Sequence, residues 1–289
     1  MFKILSKRVL APNITEMKVL APRVAESAKP GQFVIVRVDE TGERIPLTIC
    51  DYDPNEGSVT IVTQTVGHSS DKINHLNEGD AFLDFAGPLG NPSDLLQLSE
   101  EELKNTRILF VAGGVGTAPV YPQAKWLHEH GATPDVIIGA RNKDLFTYVE
   151  EMKKVANVYL ATDDGSAGFH GLVTNLMKDL IDNQGKHYDR CVIIGPMIMM
   201  KFAAMTTKEY SIPTMVSLNA LMVDGTGMCG ACRVSVGGET KFTCVEGPEF
   251  DGHLVDFDEA MRRQNMYKNN PKQLHASDDH KCQCQQSGK

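Results

Sequence analysis

The chain has no apolar run near the eighteen or so residues a helix needs to cross a bilayer, which argues against a helical membrane span. It shows no charged-then-apolar leader either; Met1-Phe2-Lys3-Ile4-Leu5-Ser6 passes straight into a strand-like pattern. It lacks an excess of positive charge. Its 29 Lys and Arg are outnumbered by 37 Asp and Glu, and a net charge of −8 argues against nucleic acid as the main partner. It lacks the even, spaced cysteine set of a disulfide framework: there are 7 cysteines, several of them clustered, which fits a reducing cytoplasm. No internal repeat is visible, and no biased segment precedes the polar tail. At 289 residues with 42% hydrophobic content, one large or two medium domains with real cores are expected.

The most informative stretch runs from Val223 to Gly247, VDGTGMCGACRVSVGGETKFTCVEG. Cys229 and Cys232 are separated by two residues, and Cys244 follows after eleven more. A plant-type iron–sulfur site uses C-x4-C-x2-C and a distant fourth cysteine. Counting back from Cys229 by that gap lands on Asp224, so the frame is D-x4-C-x2-C-x11-C. Gly225, Gly227 and Gly230 stand where the backbone must bend round a small inorganic core. Gly237-Gly238 marks a hairpin between Arg233–Val236 and Thr240–Thr243 that returns Cys244 to the site. The spacing points to a 2Fe–2S cluster held by Cys229, Cys232 and Cys244, with Asp224 as the fourth ligand. A zinc site would want a second close pair of Cys or His, which Cys244 lacks. A thioredoxin-like pair would open a helix after a strand, whereas the surroundings here are glycine-rich and then strand-like. Asp224 as a simple turn former stays open.

Upstream, residues 1–98 read as short strands with turn residues between them: Ile14–Leu20, Gln32–Val38, Ser58–Thr65 and Ala81–Phe85. That pattern predicts a small antiparallel barrel. From Ser99, a capping-box residue with Glu102, the period changes. Strands Arg107–Ala112, Asp135–Ala140, Asn157–Thr162, Arg190–Ile194 and Pro213–Leu218 alternate with helices Ala118–His130, Leu145–Ala156, Leu172–Ile181 and Met197–Tyr210. This predicts a doubly wound parallel sheet over residues 99–220, a cluster module over 221–250, and a C-terminal helix (Asp256–Lys268) with a tail over 251–289. On that helix Met261 and Met266 face either a partner or the protein's own core.

Ligands of such sheets sit beyond the carboxyl ends of the strands. The first strand ends in Gly113-Gly114-Val115-Gly116-Thr117, and the fourth in Gly195-Pro196-Met197. Glycines there let backbone N–H groups approach a pyrophosphate at a helix N-terminus. Packing is the alternative use of such turns, and the spacing is not G-x-G-x-x-G. Asp163 and Asp164 end the third strand, where an acidic residue beside a ribose favours the unphosphorylated dinucleotide; capping a turn is the equal alternative. In the barrel, Arg44-Ile45-Pro46-Leu47-Thr48 offers a base, a proline and a hydroxyl for a phosphate and a flavin edge, and Gly67-His68-Ser69-Ser70 offers N–H groups and hydroxyls for a pyrophosphate. Cys50 follows the flavin-site strand and reads as a small buried hydrophobe, with a place near the isoalloxazine as the alternative; Cys191, in a core strand, reads as inert. His128 and His130 read as solvated or dipole-paired at a helix end. The tail with Cys282 and Cys284 reads as disordered, with metal binding as the alternative.

Taken together, IPLTICD, VGHSS, AGPLG, GGVGTAP, TDDGS, GPMIMM and the D-x4-C-x2-C-x11-C frame resemble the ferredoxin reductase-like electron-transfer flavoproteins. Within them, about residues 1–262 resemble the iron–sulfur subunits of dihydroorotate dehydrogenase and, more closely, the small subunits of NADH-dependent reduced ferredoxin:NADP+ oxidoreductases. The first group carries cysteine at the position of Asp224, the second aspartate. The resemblance implies FAD at Pro46, Leu47, Thr48, Val62, Thr63, Gly67, Ser69 and Ser70. It implies NAD(H) at Gly113, Gly114, Gly116, Thr117, Asp163, Gly195, Pro196 and Met197. It also implies a larger partner subunit with its own FAD and 4Fe–4S clusters, serving NADPH and ferredoxin by electron bifurcation. The group's flavin motif is Arg-Pro-x-Ser/Thr; here Ile45 stands at the arginine position and Arg44 is displaced by one residue. No general acid or base is expected, since the chemistry belongs to the cofactors.

Overall fold

The computed structural model describes residues 1–266; the expected end of the last helix at Lys268 and the Cys282/Cys284 tail lie outside the described residues. The first unit contains β1 (Phe2–Ala11), β2 (Ile14–Leu20), α1 (Pro22–Ser27), β3 (Phe33–Arg37), β4 (Ile45–Asp53), β5 (Ser58–Gln64), α2 (His68–His75), β6 (Ala81–Phe82) and β7 (Asp84–Leu89). Its sheet order is β6-β1-β2-β5-β4-β3-β7, and the pairs are antiparallel. The two edge strands are separated in the chain only by Leu83, whose N–H donates to the Arg37 carbonyl, so the sheet curls into a nearly closed barrel. Alternation drives it: Ile4, Met17, Val19, Val34, Val36, Ile49, Val59 and Ile61 all point into one apolar core.

The second unit begins with α3 (Glu100–Asn105), whose Ser99 Oγ and Glu102 carboxylate form the expected reciprocal cap. It continues through β8 (Ile108–Gly113), α4 (Thr117–Glu129), β9 (Asp135–Ala140), α5 (Val149–Met152), β10 (Asn157–Thr162), β11 (Phe169–His170), α6 (Val173–Lys178), β12 (Arg190–Ile194), α7 (Met197–Glu209) and β13 (Thr214–Ser217). The parallel strands run β10-β9-β8-β12-β13, so the order reverses beside β8 and leaves a crevice between β8 and β12. The strands are apolar on both sides because helices cover both: α6 and α7 pack on one face, α4 and α5 on the other.

One expected helix is much shorter. Leu145–Ala156 is replaced by a turn at Lys143–Leu145 and the single helical turn of α5, because Phe146 is extended and Tyr148 adopts φ +59°. The last segments are β14 (Arg233–Val236), β15 (Glu239–Phe242), α8 (Thr243–Glu246), β16 (Glu249–Asp251) and α9 (Phe257–Gln264). The hairpin forms as expected, but Cys244 arrives on a helical turn, not a strand. Strand β16 then pairs antiparallel with β13, so the chain leaves the α/β sheet to build the cluster module and rejoins it at the edge.

Candidate functional site

The fold brings the candidate residues to three places that adjoin one another. At the first, β8 and β12 end side by side. A Cβ at Gly116 would stand 2.3 Å from the Ile194 carbonyl oxygen, and one at Gly195 would stand 2.6 Å from Met199 Cε and 3.1 Å from the Gly113 nitrogen. The two turns therefore touch through main chain, which only glycine permits. Gly114 takes φ +56°, and Thr117, fully buried at the start of α4, donates its hydroxyl to the Gly114 carbonyl at 3.0 Å. Pro196 and Met197 open α7 immediately beyond. Asp163 follows β10, two strands away from β8; its neighbour Asp164 is held below the usual carboxylate range by the Ser166 hydroxyl foremost and by the Ser166 N–H, which donates to it at 2.9 Å.

At the second place, the barrel meets that turn. Cys50 and Val62, from β4 and β5, pack with Val115, Ala118 and Tyr148, and Cys50 Sγ lies 3.3 Å from the Ala118 carbonyl. Burial pushes both the Cys50 and the Cys191 thiols upward, as expected for inert thiols. Tyr148 hydrogen-bonds Glu16, which with Glu151 pairs Arg8; this joins β1 and β2 to α5. Pro46, Leu47 and Thr48 lie half-buried along β4. Thr63 is buried against Asn74, Ser69 bonds Glu43, and Gly67 caps α2. The Ser70 hydroxyl is engaged by the turn itself, accepting from Val66 and Gly67 N–H at 2.9 and 3.0 Å. What α2 offers a ligand is therefore mainly its backbone donors.

At the third place, Cys232 and Cys244 are buried with their sulfurs 3.2 Å apart, while Cys229 is exposed. The Asp224 carboxylate accepts from the N–H groups of Thr226 (3.0 Å), Met228 (3.0 Å) and Cys229 (2.9 Å). These bonds, that from Thr226 foremost, hold its carboxyl below the usual range. Among the described residues, no three of His, Cys, Asp and Glu converge on a single metal-ion position. The loop rests on the barrel: a Cβ at Gly225, where φ is +78°, would meet Ile35 Cδ1 at 2.5 Å and Leu89 Cδ1 at 2.8 Å. Phe33, Ile35 and Leu89 of the barrel form one apolar cluster with Met222, Cys232, Cys244 and Phe242.

Several contributors have no sequence signal near the motif. Arg44 donates from Nε to the Val223 carbonyl at 2.7 Å and from Nη2 to the Asp224 carbonyl at 3.4 Å. Arg263 donates to the Ala231 carbonyl at 3.1 Å and Gln264 to the Asn219 carbonyl at 2.7 Å. Asn91 binds the carbonyls of Gly247 and Val245, at 2.7 and 3.3 Å.

The family model for the iron–sulfur cluster binding domain of dihydroorotate dehydrogenase B matches residues 219–256. The dihydroorotate dehydrogenase B (NAD(+)) electron transfer subunit homolog of Thermotoga maritima is 46% identical, over 93% of this chain and 93% of its own. The chain belongs to the dihydroorotate dehydrogenase B electron-transfer subunit family. The subunit of Fusobacterium nucleatum is 32% identical over 83% of this chain and 92% of its own. A solved structure that describes flavin-based electron bifurcation in an NADH-dependent reduced ferredoxin-NADP oxidoreductase superposes with a TM-score of 0.85 at 43% identity, covering 93% of this chain and 94% of that one. The protein is thus an oxidoreductase electron-transfer subunit with a ferredoxin reductase-like fold and a C-terminal iron–sulfur domain. This family membership and fold support FAD, NAD(H) and a 2Fe–2S cluster as its cofactors.

The donor set fits these groups. At the β8/β12 crevice the glycine turns pack main chain against main chain, and Gly114, with φ +56° and nothing within 4 Å of a Cβ, leaves its backbone open to a ligand. Two buried sulfurs and one exposed sulfur within a single module are soft ligands suited to iron.

Proposed function

We propose that the chain is the small subunit of an electron-bifurcating NADH-dependent reduced ferredoxin:NADP+ oxidoreductase. NAD(H) would be held at Gly113, Gly114, Gly116, Thr117, Asp163, Gly195, Pro196 and Met197. FAD would be held at Pro46, Leu47, Thr48, Val62, Thr63, Gly67, Ser69 and Ser70, and the cluster by Asp224, Cys229, Cys232 and Cys244. When bound, the flavin supplies conversion between a hydride and single electrons, and the cluster supplies one-electron storage.

The protein's own residues order these groups. The packing of Cys50 and Val62 on Val115 and Ala118 brings the flavin strands against the dinucleotide turn. The packing of Ile35 and Leu89 on Gly225 brings the other side of the barrel against the cluster loop. Burial of Cys232 and Cys244 keeps water from two ligands and leaves Cys229 at the surface, where a partner subunit can approach. The partner in this reading is a larger subunit with FAD and 4Fe–4S clusters that takes electrons from NADPH and passes them to ferredoxin, in the reducing cytoplasm.

The single observation carrying this reading is the aspartate at 224, at the position where the resemblance implies cysteine for the dihydroorotate subunits and aspartate for the ferredoxin:NADP+ small subunits. The second reading, the electron-transfer subunit of a dihydroorotate dehydrogenase, is favoured by the names of the curated relatives. Anaerobic purification of the native complex decides. A co-purifying flavoprotein that oxidises NADPH and reduces ferredoxin supports the first, and one that oxidises dihydroorotate supports the second. A chain that stays colourless after reconstitution with FAD, iron and sulfide would overturn both.

A further inference from the structure

The cluster loop is unusual in how it is held. Among the described residues, 219–231 make no backbone–backbone hydrogen bond to any other segment. The loop hangs instead from side chains: Gln264 and Arg263 of α9 take the Asn219 and Ala231 carbonyls, and Arg44, just before β4, takes those of Val223 and Asp224. Arg44 is the one of these that comes from the barrel, two residues ahead of Pro46. Its guanidinium also stands 3.7 Å from Asp84, which Arg37 binds at 2.7 Å. Asp84 opens β7, the strand whose Leu89 touches Gly225.

We propose that Arg44 is a positioning residue for electron transfer: it ties the flavin-bearing strand to the cluster loop and places a fixed positive charge beside the cluster ligands. This rests on the flavin and cluster assigned above. The geometry separates it from the sequence expectation, in which Arg44 serves a flavin phosphate. A planar fork that donates to two successive carbonyls orients the loop, which an ammonium does less well. A cation near an iron–sulfur centre favours its reduced, more negative form, so removing it makes the cluster harder to reduce. Only one electron moves between flavin and cluster, and Arg44 takes no part in any bond change.

The test uses the full chain loaded with FAD, iron and sulfide. Wild type must show both flavin and cluster; if it does not, the functional reading fails before Arg44 is in question. Redox titration followed by optical and EPR spectra is then run on Arg44→Gln, Arg44→Lys, Asp84→Asn and Arg263→Gln. We expect Arg44→Gln to keep its FAD and to shift the electron distribution about tenfold from cluster towards flavin, 59 mV for a one-electron couple. Arg44→Lys should restore part of that shift. Arg263→Gln removes a cation at the opposite end of the loop from outside the barrel, so it should also make the cluster harder to reduce but should leave the flavin's spectrum and potential at wild type. Asp84→Asn, which removes the opposing charge, should shift the cluster the other way, and it keeps the idea testable if Arg44→Gln fails to fold. Loss of FAD in Arg44→Gln with an unchanged cluster potential would overturn the proposal in favour of a flavin-phosphate role. So would a cluster potential that moves in none of the folded Arg44 and Asp84 variants.

Discussion

The dinucleotide turns and the cluster loop are both rich in glycine, yet they are held in opposite ways. The turns at Gly113–Gly116 and Gly195 are continuations of paired parallel strands, and their glycines bring main chain against main chain. Their position is settled by the sheet, so it barely depends on distant side chains. The loop at 219–231 continues no strand and is fixed by the Asp224 carboxylate from within and by Arg44, Arg263 and Gln264 from outside. Substitutions should therefore act differently in the two regions: by collision with main chain in the first, and in the second, apart from Gly225 where the loop rests on Ile35 and Leu89, by loss of individual hydrogen bonds and charges.

The largest effect is expected at the sulfurs. Cys232→Ser or Cys244→Ser should abolish the cluster signal in EPR and optical spectra while leaving FAD content unchanged, because these cysteines pack only on Phe33, Ile35 and Leu89 at the barrel's edge and not in its main core. Asp224→Ala should release iron about tenfold faster, since it removes the proposed oxygen ligand and three accepting bonds at once. Asp224→Asn, which keeps an acceptor for the loop, should be milder, and equal iron loss in both would show that the loop bonds do not matter. At the turns, Gly116→Ala drives a Cβ into the Ile194 carbonyl, which belongs to backbone and cannot give way. A stability loss of about 3 kcal/mol is expected by urea denaturation, together with weakened NADH binding by titration.

Glu249 of β16, the strand that follows the cluster module, is tied to α4, the helix that follows the dinucleotide turn. Its side chain is partly buried, with Oε2 shut away from solvent, and it accepts from Gln123 of α4 at 2.7 Å, with Ser93 facing the same carboxyl. Burial raises its pKa from 4.5 to about 7, aided by Asp94, while Ser93 and Gln123 oppose the shift. Folding therefore favours the protonated acid. Its contribution is full below pH 4.5 and is lost as pH rises to about 7, a change of about 3 kcal/mol. Denaturation of wild type and Glu249→Gln across that window checks this. The difference between them should grow with pH, and parallel curves would show that Glu249 ionises freely.

How much of this was legible in the sequence follows the same division. Strands β8, β9, β10 and β12 were readable because apolar runs flanked by helical periods are local signals, and their order puts Gly113 beside Gly195 without further information. The cysteine frame was readable because ligand spacing is local too. Helix Leu145–Ala156 was misjudged because a left-handed Tyr148, buried against Cys50 and tied to Glu16, overrides helical preference from outside the segment. The part of Arg44 was invisible for the reason that makes it informative: 179 residues separate it from Val223. No local pattern encodes a side chain that caps a carbonyl so far along the chain. Strand β16 was missed because three residues with one buried phenylalanine carry no period.

The smallest expected effect tests whether side-chain ties matter outside the cluster loop. Lys125 of α4 bonds Asp51 of β4 at 2.9 Å, across the same barrel–sheet boundary that Cys50, Val62 and Ala118 fill with apolar contact. Both side chains are 33% exposed, so water and salt screen the pair. A double-mutant cycle with Lys125→Met and Asp51→Asn should give a coupling of about 0.5 kcal/mol, falling in high salt. The apolar contact beneath does not weaken with salt, so the boundary should hold when the pair is gone. A coupling several times larger would mean that this boundary, like the cluster loop, depends on individual charged ties, and the contrast between main-chain and side-chain fixation would then divide the molecule at the barrel wall and not at the loop.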